Sequence, residues 1–437
     1  MSNNTPSQGL PDGLWLTYYG DDFTGSTDVM EALATHGIET VLFTRLPGPA
    51  EFAPFASYPA IGLAGTSRSE TPAWMSEKLP PIFAWLKSLD ARVCHYKVCS
   101  TFDSSPTIGS IGRAAEIGAA CFAQALIPLV VGAPQLKRYT FAAHLFAAYQ
   151  GAIYRIDRHP VMSRHPVTPM DESDLRLHLA RQTSLPIVLA GTDWPSRGIA
   201  LLDVHDDATQ LAAGRRLLAL PPHAAPLVIG SSGVEYALMQ ALADAGTIAG
   251  RAAFAPLARV EQTMVVSGSV SPTTERQIRH ALAQGFEAVP ISAVALACGE
   301  PQAIAGAVEQ SLQILQRGCS PLVHTALGAA TDQGARIDAS SDGRRNIGEG
   351  LGRILGGVLA RTGLSRVMIA GGDTSSHALG QLDIFALTTR HPLPATPGSP
   401  LCRAASDLPR LNGLEIALKG GQVGGDDYFV SLRDGRV

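Results

Sequence analysis

Residues 14–37 read LWLTYYGDDFTGSTDVMEALATHG. The first six are largely apolar or aromatic, and they run into Gly20, as a buried strand would. From Ser26 onward the apolar residues Val29, Met30 and Leu33 recur at helical spacing. Between strand and helix stand Asp21 and Asp22, framed by Gly20 and Gly25. Strand, acidic turn and helix make the βα unit of an open parallel sheet, and such sheets take ligands at the carboxyl ends of their strands.

The same grammar repeats along the chain. Short apolar runs (ETVLFT, AIGLAG, VCHYKV, PLVVGA, PIVLAG, ALLDV, PLVIG) alternate with amphipathic stretches near 26–36, 72–88, 108–121, 171–182, 206–219 and 233–244. After residue 250 the pattern restarts with TMVVSG and a helical run opened by Pro272. EAVPI, a helix at 301–317, PLVHTAL, a helix at 346–362, RVMIAGG and EIALKGG follow. The expected fold is therefore α/β, with two α/β domains, mostly parallel sheets and a cleft between them. Residues 1–250 form the first domain and 251–437 the second. The Pro-, Arg- and His-rich segment 154–175 breaks the alternation and reads as an ordered functional loop.

A chain of 437 residues with 46% hydrophobic and 16% charged residues is globular and too long for one ordinary core. The net charge of −4 and the lack of a basic block argue against nucleic acid or an anionic membrane as partner. The polar start MSNNTPSQGLPDG reads as a short disordered lead, not a signal peptide. Its lack of a leader points to the cytoplasm, where the six scattered cysteines would stay thiols. Cys94 and Cys99 without a second pair are weak evidence for zinc, and no metal ligand set is assigned.

A helix cap requires one acceptor, which Thr24 or Ser26 can provide. Two adjacent carboxylates repel unless a cation, a proton or a ligand hydroxyl offsets them, so Asp21 and Asp22 are candidate catalytic residues, one able to take a proton from a substrate alcohol. An aspartyl-phosphate phosphatase would want a second Asp two positions after the first, where this chain has Phe23. Other strand ends add Arg68, then Lys97, Ser100, Thr101 and Asp103, and the turn Gly230-Ser231-Ser232-Gly233, a backbone nest suited to an anion. Lysine is scarce, five among 34 basic residues, and Lys97 and Lys419 both lie where a strand runs into a loop. In the second half, Ser267-Gly268-Ser269, Gly371-Gly372-Asp373-Thr374 and Gly420-Gly421 form three glycine-bearing turns able to cradle phosphates. Neither a P-loop nor a Rossmann fingerprint is present.

The ordered set GDDFTGSTD, SRS (67–69), YKVCST, HPVTPM, GSSG, SGSVSP, GGDTS and ALKGGQVG resembles the four-carbon acid sugar kinase family, long catalogued as a domain family of unknown function (DUF1537). The resemblance spans nearly the whole chain. It implies an N-terminal sugar-acid domain and a C-terminal nucleotide domain. The reaction it implies is transfer of the ATP γ-phosphoryl group to threonate, erythronate, 3-oxo-tetronate or the branched 3-oxo-isoapionate. It places Asp21, Asp22, Arg68, Lys97 and Thr101 at the acid, and Ser267, Gly371, Gly372, Asp373, Thr374 and Gly421 at ATP. Mg²⁺ would accompany ATP, the small acid and ATP would be the partners, and a homo-oligomer is left open. On this reading Asp22 is favoured as base, with the acid's carboxylate on Lys97, Arg68 or the 230–233 nest. Where better-known members carry Leu-Arg-Gly-Asn after the Ser-Thr, this chain has FDSSPTIGS, so Arg155, Arg158 or Arg164 is expected to replace the missing arginine. A non-catalytic sugar-acid binder and a dehydrogenase are the competing readings, weakened by the glycine turns and the missing fingerprint respectively.

Overall fold

The computed structural model describes residues 10, 13–165, 167–221, 226–249, 252–328, 331–332, 334 and 341–437, with the side chains of 341, 342 and 373 left out. Nearly all of the expected N-terminal lead and the expected boundary at 250–251 lie outside these residues. The chain divides into two units, residues 1–252 and 253–437.

In the first unit the strands are β1 (Leu16–Gly20), β2 (Thr40–Phe43), β3 (Ala60–Ala64), β4 (Val93–Lys97), β5 (Leu126–Val130), β6 (Arg138–Phe141), β7 (His144–Tyr149), β8 (Ala152–Arg155), β9 (Ile187–Leu189), β10 (Gly198–Leu202) and β11 (Leu227–Gly230). The helices are α1 (Phe23–Ala34), α2 (Pro49–Phe52), α3 (Pro72–Ser88), α4 (Ile111–Phe122), α5 (Leu175–Ala180), α6 (Asp207–Ala219) and α7 (Gly233–Asp244). Eight strands pair in parallel in the order β2-β3-β1-β4-β11-β5-β10-β9. Every residue of β1 to β4 is buried, which is why these strands read as continuous apolar runs. The chain leaves β1 for β2, returns through β3, then crosses β1 to reach β4, so the direction of winding switches at β1. The crevice at such a switch is where open α/β sheets bind ligands.

Sequence reading missed the second sheet, an antiparallel meander β6-β7-β8. Its last strand runs into the 154–175 segment, whose described part carries two 3₁₀ turns (Ile156–Arg158 and Met162–Arg164).

The second unit holds β12 (Met264–Ser267), β13 (Phe286–Pro290), β14 (Ser320–His324), β15 (Arg366–Ala370), β16 (Ala386–His391), β17 (Leu401–Ala405) and β18 (Glu415–Lys419). Its helices are α8 (Pro272–Leu282), α9 (Ala293–Ala297), α10 (Pro301–Gln316), α11 (Ser341–Leu359), α12 (Gly372–Leu379) and α13 (Tyr428–Asp434). The order is β13-β14-β12-β15-β18-β17-β16, parallel as far as β18 and antiparallel through β17 and β16. Val265, Ile278, Phe286, Leu322, Met368, Leu401 and Phe429 belong to one buried core beneath this sheet. The winding switches at β12. The register aligns Ser267, Ala370 and Lys419 in one row, so the glycine turns that follow β12, β15 and β18 start side by side.

Candidate active site

The parallel register of the first unit sets Gly20 opposite Ala64 and Lys97, and Lys97 opposite Gly230. Asp21 and Asp22 follow that row. Asp22 is itself the N-cap of α1: its Oδ1 accepts from Gly25 N at 2.6 Å. Capping therefore falls to one of the paired acids, not to Thr24 or Ser26, and α1 starts three residues earlier than the sequence suggests. Asp22 Oδ2 accepts from Arg68 Nη1 at 2.9 Å. A Cβ at Gly25 would lie 2.4 Å from Asp22 Oδ1 and 2.9 Å from Lys97 Nζ, so only glycine lets the cap and the lysine close on that turn.

Asp21 is the buried member, 4% exposed, and its Oδ1 has no hydrogen-bond partner among the described residues. Burial, reinforced by the Asp22 carboxylate, pushes its carboxyl up to about 7 against the pull of Arg68 and Lys97. Lys97 is buried too. Its Nζ donates to Val98 O at 3.0 Å and lies 3.9 Å from Asp28 Oδ2. Burial works against its charge, but Asp28, Asp22 and Asp21 outweigh that penalty and hold its pKa above the ordinary value.

Sequence reading gave no role to Asp103, which organises the other side of the cluster. It accepts from Arg68 Nη2 at 3.0 and 2.9 Å, from Thr101 Oγ1 at 2.5 Å and from Thr168 Oγ1 at 3.1 Å. Burial alone would raise its carboxyl; Arg68, Thr101 and His165 outweigh burial and bring it down to about 2. Phe102, fully buried with φ 57°, turns the backbone so that Thr101 and Asp103 share this bond, a strained conformation of the kind that gathers at functional sites. A carboxylate two positions after a strand-end Thr was the available signal.

Arg68 thus bridges Asp22 and Asp103 and is less free to take a substrate carboxylate than expected. The replacement arginines do not join the cluster. Arg155 and Arg158 both pair with Asp157, the latter 77% exposed, and Arg164 is exposed. Thr168 reaches the site from that segment instead. Ser100 is half-buried in the turn after β4. The 230–233 turn corrects another expectation. Ser231 N donates to Val130 O, Gly233 N to Ser231 Oγ and Val234 N to Ser231 O, so most of this nest is committed within the protein. Ser231 and Ser232 are fully buried there. Four carboxylates (Asp21, Asp22, Asp28, Asp103) therefore face two permanent cations (Arg68, Lys97), a balance better suited to hydroxyls than to an unaccompanied anion.

In the second unit the three expected glycine turns meet. Gly268 N donates to Ala370 O at 3.2 Å and Gly371 N to Lys419 O at 2.8 Å. Ser269 Oγ donates to Thr274 Oγ1 (3.0 Å), which donates to Gly421 O (3.1 Å). A Cβ on Gly268 would meet Thr374 Oγ1 at 2.3 Å, and one on Gly421 would meet Ser269 Oγ at 3.0 Å. Ser267, Gly268, Ser269, Gly371, Thr374, Gly420 and Gly421 thus occupy one strand-end surface. Gly371 N-caps α12 without a side-chain acceptor, and Gly372 faces open space. The first amides of α12 point where an anion can take them. The side chain of Asp373 lies outside the described residues.

A sugar-binding N-terminal domain model matches residues 16–245, and a nucleotide-binding C-terminal domain model matches residues 264–429. The chain is 42% identical to a 3-oxo-isoapionate kinase of Paraburkholderia graminis, covering 100% of this chain and 97% of that one. It is 28% identical to a 3-oxo-tetronate kinase of Cupriavidus necator, over 94% of each. Among solved structures, a Haemophilus influenzae protein superposes with TM-score 0.70 at 19% identity over 96% of this chain and 100% of its own. A Salmonella typhimurium protein does so with TM-score 0.71 at 22% identity, over 96% and 98%. The two domain matches and the curated relatives define a two-domain phosphotransferase, a kinase of small sugar acids. The chain belongs to the four-carbon acid sugar kinase family.

Proposed function

We propose that the chain transfers the γ-phosphoryl group of ATP to a hydroxyl of 3-oxo-isoapionate. The observation that carries this substrate is the gap in identity: 42% over the full length to a kinase of that acid, against 28% to a 3-oxo-tetronate kinase. The four-carbon acids, placed first on sequence grounds, become the second reading.

Residues 1–250 hold the acid and residues 251–437 the nucleotide. The substrate oxygen attacks the γ-phosphorus, the bond to the β–γ bridging oxygen breaks, and ADP leaves. Asp21 receives the hydroxyl proton. This reverses the sequence preference for Asp22, whose oxygens are engaged by Gly25 N and Arg68. Asp21 offers an unpartnered oxygen and a carboxyl near 7, where a general base works best at neutral pH. Arg68, 29% exposed, is the cation of the cluster that the acid's carboxylate can reach.

Mg²⁺ fits this chain as a guest of the phosphates. Among the described residues no three acids, cysteines or histidines gather into a metal site. Mg²⁺ commonly keeps its waters and takes one or two carboxylates besides phosphate oxygens. With Asp22 already engaged by Gly25 N and Arg68, phosphate oxygens and water would make up most of the Mg²⁺ shell. When bound, it supplies neutralisation of phosphate charge. The reaction suits a cytoplasmic setting, where ATP is at hand.

The test is ADP release from Mg-ATP over D- and L-threonate, D- and L-erythronate, both 3-oxo-tetronates and 3-oxo-isoapionate. The highest kcat/KM is expected for 3-oxo-isoapionate. A higher value for a 3-oxo-tetronate moves the substrate to four carbons, and silence from every acid removes the kinase reading.

A further inference from the structure

We propose that Lys419 is the residue of the second unit that receives the phosphates of the nucleotide, and that it takes up a proton when they arrive. This rests on the kinase reading and adds to it a specific cation.

The placement is the argument. Lys419 ends β18 in the row shared with Ser267 and Ala370, from which the three glycine turns begin. Its carbonyl receives Gly371 N, which ties it to the start of α12. Its side chain is fully buried, yet among the described residues its Nζ has only neutral partners: Thr274 Oγ1 at 3.2 Å and Gly420 O at 2.8 Å. An ammonium has three donors, so this geometry leaves one for a ligand. The uncapped amides of α12 and the open space at Gly372 lie on the same strand-end surface, giving a second set of donors for the same anion.

Among the described residues the surrounding charges do not balance Lys419. On α8, Glu275 pairs with Arg279 at 2.8 Å, and Arg276 pairs with Asp426 at 2.9 Å. On α13, the Tyr428 ring lies 5.9 Å from Nζ. Arg366 of β15 and Glu415 of β18 pair with each other at the opposite end of the strands, and Arg403 of β17 is exposed. His377 sits in the last turn of α12, whose Asp373 side chain is outside the described residues. Burial alone, with no ion pair among the described residues, brings the Lys419 ammonium down to about 7. A phosphate beside it would restore the charge.

The experiment is calorimetric titration of Mg-ATP into the full chain near pH 7, in Tris and in HEPES, for the native protein, Lys419→Met and Lys419→Arg. The native protein should take up a fraction of a proton per nucleotide. Lys419→Met should bind at least about tenfold more weakly with no uptake, because a charge-assisted contact is lost. Lys419→Arg should keep most of the affinity without uptake. Thermal melting separates a structural role: removing an unpaired buried charge should leave Lys419→Met as stable as the native chain or more so. Native binding without proton exchange, together with unchanged affinity in Lys419→Met, overturns the proposal while leaving the nucleotide site in place. No binding of ATP or ADP to the native chain overturns the kinase reading itself.

Discussion

At the scale of single residues, the proposed mechanism makes Asp21 the base in place of Asp22, which the sequence favoured. Asp21→Asn should lower kcat by roughly 10²–10⁴-fold, the usual worth of a general base, with little change in ATP affinity. Steady-state rates with saturating ATP read this, and an Asp21→Asn enzyme within tenfold of native would pass the role back to Asp22. Its stability should move the other way. The folded Asp21 carboxyl lies above its unfolded value, so its contribution is present below about 4 and is lost as pH rises through about 7. Asp21→Asn lacks that loss and should melt no lower than native at pH 8. Asp103 is the opposite case. Its folded carboxyl is depressed, so its contribution is present above about 4 and is lost as pH falls towards about 2. Asp103→Ala takes one of its two carboxylates from Arg68 and leaves Thr101 and Thr168 without this acceptor, and should cost about 1–3 kcal/mol in denaturant melts. Asp103→Asn should flatten the acid limb of the melting profile between about pH 4 and 2. Adjacent acids at a strand end are visible in sequence because repulsion makes the pair improbable without a purpose. Asp103 stood at a strand end too, but its role was not legible, because the partners that define it stand 35 and 65 positions away.

At the scale of elements, legibility followed periodicity and turn chemistry. The parallel strands announced themselves because both faces are covered, so no polar alternation hides them. The meander β6-β7-β8 did not. The turn joining β6 and β7 is Ala142-Ala143, at φ 51° and 69°, where hairpins ordinarily place Asn or Gly. Its strain is offset at long range: the Asp203 carboxylate accepts from Ala143 N at 3.2 and 3.3 Å. No local sequence signal encodes that. The glycine turns of the second unit were legible as turns, and their convergence follows from strand order. Gly371 is the most demanding of them, with φ 117° and Thr374 Oγ1 2.8 Å from any added Cβ. Gly371→Ala should cost about 1–3 kcal/mol of stability and raise the KM for ATP, leaving the KM for the acid nearly unchanged. Equal rises in both KM values would mean that the turn serves the whole protein and not the nucleotide.

At the scale of the whole molecule, two buried groups of opposite sign titrate in the same range. Asp21 must lose its proton to serve as base, and its carboxyl sits at about 7. Lys419 must hold its proton to attract phosphate, and its ammonium sits at about 7 as well. Burial is the main cause in both, raising the acid and lowering the cation, because the charged form is the one that loses its water. The consequences for the reaction run in opposite directions. As pH rises through neutrality kcat should climb while ATP binding weakens, so kcat/KM for ATP should trace a bell centred near 7. The limbs can be assigned by substitution. Lys419→Arg keeps its charge and should remove only the alkaline limb. Asp21→Asn should leave the ATP affinity falling with pH while the residual rate becomes flat. A native profile that rises to a plateau without an alkaline limb would remove Lys419 from the reaction. A profile flat below 7 would remove Asp21.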